Sequence, residues 1–295
     1  MSSKHTGIIG TMLILIVLCF PGCWRNQPAA LSGSKPVSKL TPLFISEEVF
    51  DKSIAVPKQY PSVTNAIGGV VPHHLVASSL ISGFFSSISG GHYDTVIILA
   101  PNHFGRTGDI VTSTSGWTTF NGDVRCDTSV AQTLTNLRGF NIKLDDHTVE
   151  GDHSASNLVP YIQYDLHGAS VAPLLLSNRI TLDMAQELAQ KLYDISKTRR
   201  ILVVCSIDFS HYQTAEQASQ YDSITMAAVK NADIPRISVM DNHYLDCPPA
   251  LMTFLFYCRL KRKSVTILDH SNSAVILQQN PLNVTSYLIL RAGLH

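Results

Sequence analysis

Two runs of branched apolar residues, TVIILA at 95–100 and RILVVCS at 200–206, constrain this chain more than any other feature. Unbroken hydrophobicity of that length is what a strand buried on both faces requires, and such strands belong to parallel sheets covered by helices on each side. ASVAPLLL at 169–176, SVTILD at 264–269 and VTSYLIL at 284–290 read as further strands. The segments between them carry helical spacing. Leu75 to Ile88 places apolar residues at 80, 81, 84, 85 and 88, and Thr181 to Ile195 is amphipathic. Asp127 or Thr128 caps a predicted helix running to about Leu137, and residues 214–230 and 248–260 are also predicted helical. Another helix is expected from Asp152 past Tyr161, with Pro160 kinking it or ending it early. Strands alternating with helices predict a single α/β domain with a mostly parallel or mixed central sheet flanked by helices.

The composition, 45% hydrophobic and 15% charged, is that of a folded globular protein. Twenty-two basic residues balance twenty-two acidic ones, and no Lys/Arg-rich run occurs, so a nucleic-acid partner is excluded. The N-terminus is set apart. Lys4 and His5 precede an apolar stretch from Ile8 to Phe20, which has the length of a signal-peptide core and is short for a membrane span. The Pro21-Gly22-Cys23 that follows resembles a bacterial lipobox, in which Cys23 is lipidated. The expectation is an exported lipoprotein of the bacterial cell envelope, held at the membrane by its N-terminal lipid anchor. Its parts would be a leader over 1–23, a Ser/Pro/Lys-rich tether over 24–62 and an α/β domain over 63–295. Beyond Cys19 and Cys23, the four remaining cysteines show no CxxC and no regular spacing, so no disulfide scaffold is inferred.

Five short polar segments fall where strands give way to loops: PHH, APNH, GDHS, SIDFSH and DCPP. They supply His73, His103, His153, the pair Asp208 and His211, and Cys247. Imidazole and thiolate are the ligands that iron, copper and zinc prefer. His103 follows TVIILA by three residues and His211 follows RILVVCS by five, so parallel strands would point both from one rim of the sheet. Asp152 is a natural cap for the helix that His153 opens. Asp208, three residues before His211, is placed to orient that imidazole. Cys247, at a predicted helix N-terminus, is expected to have its thiol pKa lowered toward the thiolate.

The ordered segments VVPHH, ILAPNHFGRTGD, GDHSASNLVPYIQ, VVCSIDFSHY, DCPPAL and VTSYLIL resemble the Memo family, whose bacterial and archaeal members are called AmmeMemoRadiSam system protein B. The resemblance runs from about residue 66 to the end. It implies an architecture similar to class III extradiol (LigB-like) dioxygenases and a pocket of three histidines and a cysteine. Those positions fall on His73, His103, His211 and Cys247, with Asp208 and His153 as neighbouring pocket groups. One departure is that Asp152 stands where the family usually has Glu.

Three functions follow as expectations. The first is a metal-binding protein with an oxygen-linked or redox role, holding iron or copper (zinc being the other ion such ligands accept), in which Asp208, His153 and Cys247 are the candidate catalytic groups and catechol ring opening is absent. The second is a non-catalytic module that receives a peptide or small-molecule ligand in the same pocket. The third is a hydrolase with Cys247 as nucleophile and His211 as base, which requires those groups within hydrogen-bond reach.

Overall fold

The computed structural model describes residues 39–105, 108–134, 137–279 and 283–293. In chain order the strands are β1 (Gly68–Val71), β2 (Thr95–Pro101), β3 (Ile110–Thr112), β4 (Trp117–Thr119), β5 (Gly122–Val124), β6 (Ile142–Leu144), β7 (Ser170–Leu176), β8 (Ile201–Ser206), β9 (Val265–Asn272) and β10 (Ser286–Ala292). The helices are α1 (Glu47–Ala55), α2 (Ser78–Ile88), α3 (Thr128–Leu134), α4 (Asp146–Gly151), α5 (His153–Ser156), α6 (Val159–Asp165), α7 (Leu182–Ile195), α8 (Ala215–Lys230), α9 (Ile234–Ile237), α10 (Pro248–Leu260) and α11 (Ser273–Leu277).

Eight strands form one mixed sheet in the order β6-β3-β7-β2-β8-β1-β10-β9. Its centre is parallel, with β7, β2, β8 and β1 running the same way, and antiparallel pairs flank it on both sides. Every residue of β2 and of β8 is buried, as their unbroken apolar runs predict. Along β2 the side chains divide between two cores. Ile97 and Leu99 join Leu188, Leu192 and Phe254 on one face, while Val96 and Ile98 join Phe84, Phe85 and Tyr161 on the other. A strand's alternation thus fills two layers of helix packing from one apolar run.

β1 escapes a reading by propensity because it begins with Gly68-Gly69. Tight packing accounts for both glycines. A Cβ on Gly68 would lie 2.1 Å from the Val203 carbonyl oxygen, and one on Gly69 would lie 2.4 Å from both the Leu290 carbonyl and the Phe84 ring. Pro160 also acts differently from the expectation. It sits in the first turn of α6, where a missing N–H costs nothing, so it starts a helix and leaves α5 a separate single turn.

The tether expected over 24–62 needs correction for its described part. Ser46 caps α1 by accepting from the Val49 N–H, and Glu47 and Glu48 lie in the first turn. Phe50 is fully buried, with its ring 5.1 Å from that of Tyr161. Leu40, also fully buried, pairs its backbone with Gly116 and Thr118. Buried side chains and backbone pairing make residues 39–55 part of the domain's packing.

Candidate metal centre

Strand order positions the site. β2, β8 and β1 are consecutive and parallel, so the loops leaving them share the carboxyl-end rim. His73 lies just beyond β1, His103 beyond β2, and Asp208 and His211 beyond β8. His153, the first residue of α5, arrives from the side, and Asp246-Cys247 stand immediately before α10.

Three imidazoles converge. The ring centroids of His73 and His103 are 5.3 Å apart, those of His73 and His153 5.1 Å, and those of His103 and His153 4.5 Å in a near-parallel stack. One ligand atom from each of the three lies within 4.8 Å of the other two. A second group with the same spacing joins His73 to the carboxylates of Asp208 and Asp246.

Hydrogen bonds fix the tautomers. Asp152, which is fully buried, accepts from the His103 backbone N–H at 2.9 Å and from its Nδ1 at 2.8 Å. It also caps α5 through the Ser154 N–H at 3.0 Å and accepts from the Ser154 hydroxyl at 2.7 Å. Burial alone would raise the Asp152 carboxyl, yet the bonds from His103 and Ser154 outweigh it and hold the group at about 2. Asp152 is therefore an ionised acceptor. His103 carries its proton on Nδ1 and leaves Nε2 free, the carboxylate–histidine arrangement that supports metal ligands. Standing as the cap beside the His103 loop, Asp152 reaches both the His103 ring and its backbone N–H.

His73 is fixed by similar logic. The Ser206 hydroxyl donates its one hydrogen to the Ser154 carbonyl and sits 3.3 Å from His73 Nδ1. That oxygen must then accept from Nδ1–H, which leaves a lone pair on Nε2. The backbone around the ring is held by Asp208 Oδ1, which accepts from the His73 N–H at 3.1 Å, and by Asn157, which donates to the His73 carbonyl at 3.0 Å. Burial drives His73 well below its usual range, reinforced by the neighbouring His103 and His153, so the ring is neutral. His153 is lowered by burial and then by His103. Neutral imidazole is the form that binds metal.

The structure brings together His73, His103, His153 and Asp208. It sets His211 at the edge, within electrostatic reach of Asp208 and His103 but outside both groups that share ligand spacing. Its backbone N–H donates to the Asn242 carbonyl at 3.1 Å, and its buried Nδ1 has no partner. Tyr212 follows it in a left-handed conformation with φ of 58°, unfavourable for a residue with a side chain.

Cys247 departs most from expectation. Its free thiol is wholly buried in the apolar cluster that contains Leu251, Phe254 and Cys205. Burial pushes it well above the usual thiol range, and the adjacent Asp246 carboxylate pushes it further. The expected activated thiolate is corrected on that ground, because desolvation overwhelms any help from the start of α10. The hydrolase reading loses its support with it, since no hydrogen bond joins Cys247 to His211 among the described residues.

Asp246 is the functional group that sequence reading missed. Its Oδ2 lies 3.3 Å from His73 Nε2, beside Asp208 Oδ2 at 3.4 Å. Burial raises both carboxyls, that of Asp246 well above the usual range with further help from Asp208. The available signal was an acidic residue just before a helix, which reads first as a cap.

Comparison with known proteins places the chain. The family model described as Memo-like protein matches residues 46–289. A MEMO1 family protein of Pyrobaculum arsenaticum is 29% identical over 240 residues, covering 78% of this chain and 83% of its own. One from Desulfurococcus amylolyticus is 27% identical over 231 residues, covering 74% and 79%. Among solved structures, that of an uncharacterized protein, JW3007, from Escherichia coli K12 superposes with a TM-score of 0.54 at 12% identity, covering 77% of this chain and 99% of that one. At that identity the likeness concerns the fold, which is compatible with the expected LigB-like architecture.

These comparisons overturn the expectation of a signal peptide and a membrane-anchored lipoprotein. The relatives are archaeal proteins named for the MEMO1 family, and the family match, residues 46–289, does not include the leader. No helix among the described residues is long and apolar enough to cross a membrane. Residues 1–38, Cys23 among them, lie outside the described residues.

Proposed function

The chain belongs to the Memo family, and we propose that it binds a redox-active transition metal, iron or copper, through His73, His103 and His153. The observation that carries this reading is the convergence of the three rings at one sheet rim, with ligand atoms within 4.8 Å of one another. Asp152 behind His103 adds the supporting carboxylate that metal-binding histidines commonly have. Asp246 Oδ1, on the carboxyl whose Oδ2 approaches His73, is buried and unpartnered, and an unsatisfied polar atom of that kind fits a site that receives an ion. Zinc would accept the same nitrogen ligands without redox chemistry. When bound, iron or copper would supply Lewis acidity and one-electron chemistry. The protein's own groups hold His73 and His153 neutral, orient His73 and His103 through Ser206 and Asp152, and exclude water from His73.

A peptide or small-molecule ligand is also proposed, supported by a cavity of about 420 Å³ at the first turn of α10. Ile180, Met240, Pro248 and Met252 give it an apolar lining, and Asn178 and Asn242 give it polar groups. Asn178 donates to the Asp246 carbonyl at 3.2 Å, which holds that wall against the chain just before α10. Apolar walls with a few placed polar groups suit the non-reacting body of a ligand.

The test is elemental analysis of the full-length chain, prepared anaerobically, beside a His103→Ala/His153→Ala double variant. About one iron or copper per chain, absent from the variant, supports the reading. A chain that holds no metal after reconstitution shifts the function to ligand capture without metal.

A further inference from the structure

The parallel strands that bring the histidines to one rim meet a different cavity at their other end. Ile67 stands just before β1, Tyr93 two residues before β2 and Arg200 just before β8, all at the amino ends of these strands. With Ser196 at the end of α7 and Lys261 at the end of α10 they line a space of about 450 Å³, a volume that suits a small molecule. The lining carries one sign of charge: Arg199, Arg200 and Lys261 belong to it, and no Asp or Glu does. Arg199 is already committed, pairing with Asp127 and donating to Ser129. Arg200 and Lys261 are not, since among the described residues neither forms an ion pair with a carboxylate. Asp94 accepts from the Arg200 backbone N–H at 2.8 Å, and Lys261 Nζ donates to the uncharged Ser196 hydroxyl at 3.3 Å.

Basic residues at helix C-termini commonly answer the free carbonyls there. These helix ends already have their donors. In α7 the carbonyls of Leu192 and Asp194 accept from the Ser196 and Lys197 N–H groups, Tyr193 accepts from the Ser196 hydroxyl, and Ile195 accepts from the Thr198 and Arg199 N–H groups. In α10 the carbonyls of Tyr257, Cys258 and Arg259 accept from the N–H groups of Lys261, Lys263 and Arg262. Two cations therefore remain at one cavity with no carboxylate to neutralise them. The same cavity has apolar walls in Ala66, Ile67 and Ile201. Tyr93 shares the lining; its side chain is more than nine-tenths buried and its hydroxyl has no hydrogen-bond partner, which leaves a donor to offer at that wall.

Independently of the metal reading, we propose that this amino-end cavity binds a small organic phosphate, with Arg200 and Lys261 on the phosphate and the apolar walls around the carbon chain. A phosphate monoester carries about −1.5 to −2 charges at neutral pH, which two free cations match. The guanidinium offers paired N–H donors to two of its oxygens, and the ammonium offers a compact point charge to a third. The fully buried lengths of β2 and β8 lie between this cavity and the histidines, so the two sites take separate ligands.

The experiment is calorimetric titration of the full-length, metal-free chain with butyl phosphate, and in parallel with inorganic phosphate and with butanol. Butyl phosphate should bind once per chain, about tenfold or more tighter than either of the other two, because only it engages cations and apolar walls together. Arg200→Gln/Lys261→Gln should weaken its binding by about tenfold or more, and His103→Ala/His153→Ala should leave it within about twofold of the parent. Arg200 is exposed and Lys261 makes one hydroxyl bond, so the double variant keeps the packed core. A loss in the histidine variant as large as that in Arg200→Gln/Lys261→Gln, or larger, would put the anion at the histidine rim and overturn the proposal. Inorganic phosphate or butanol matching butyl phosphate would overturn it as well. So would the absence of saturable butyl phosphate binding up to about 10 mM.

Discussion

Replacing Asp152 with asparagine should weaken both the fold and the metal centre. Asp152 Oδ1 accepts from His103 Nδ1, the Ser154 N–H and the Ser154 hydroxyl, while Oδ2 accepts from the His103 N–H. An asparagine oxygen can keep the first three bonds, but its NH2 must then face the His103 N–H, donor against donor. The carboxyl sits at about 2 against an ordinary 3.8, a difference of about 2.5 kcal/mol in favour of the charged form. Adding one buried donor without a partner brings the expected loss to about 3–4 kcal/mol near neutral pH. The sign follows from the depressed value: the contribution is complete above about pH 4 and fades as pH falls toward 2. Urea denaturation of metal-free parent and variant at about pH 7, 5 and 3 should show a constant gap at the first two and a narrower gap at the third. Metal affinity should fall about 10–100-fold, as expected for a partner behind the ligands. A loss below about 1 kcal/mol at neutral pH, or a gap of equal size at pH 3, would refute the reasoning.

His153→Ala should abolish metal uptake while His211→Ala reduces it by no more than a few-fold; equal losses in calorimetric titration would return His211 to the ligand set. Phe50→Ala should cost about 3–5 kcal/mol, because the ring is buried against Tyr161 and Tyr164; a thermal midpoint equal to the parent's would mean α1 does not stabilise the domain. Gly69→Ala should prevent soluble expression or lower stability by more than about 3 kcal/mol, since its Cβ meets a backbone oxygen and the Phe84 ring at 2.4 Å; a soluble variant with parental stability would show that β1 can shift. Lowering pH below about 6.5 should release the metal as His73 and His153 compete for protons, and their depressed values put half-release below that point; release centred above 6.5 would contradict neutral buried imidazoles.

Much of the architecture was legible because its causes are local. Unbroken branched runs marked β2 and β8 as strands buried on both faces, and parallel pairing then required His103 and His211 to leave the same rim. Asp152 was readable as a helix-start residue by its carboxylate and accepts from the Ser154 N–H, and in the structure Thr181 and Thr214 cap α7 and α8 in the same way. Where local chemistry was weak, reading failed. β1 hid behind two glycines whose reason is close approach to β8, β10 and α2, and α1 hid in a polar segment although Ser46 followed by two glutamates is a helix-start signal.

The candidate centre divides the same way. By itself the sequence determined which residue types reach the rim, since strand ends and caps are fixed by hydrophobic pattern and hydrogen-bonding chemistry. Tertiary structure alone decided which of them meet. His153 joins His73 and His103 because α5 packs its first turn against the ends of β2 and β8, through Ser154 bonding to Pro101 and Ser206. Asp246 rather than Cys247 approaches His73 because α10 buries one side of the chain in an apolar core, which suits a thiol, and leaves its neighbour beside that imidazole. Orientation of adjacent residues depends on the packing of a helix against a sheet, and no pattern within six letters of sequence records it.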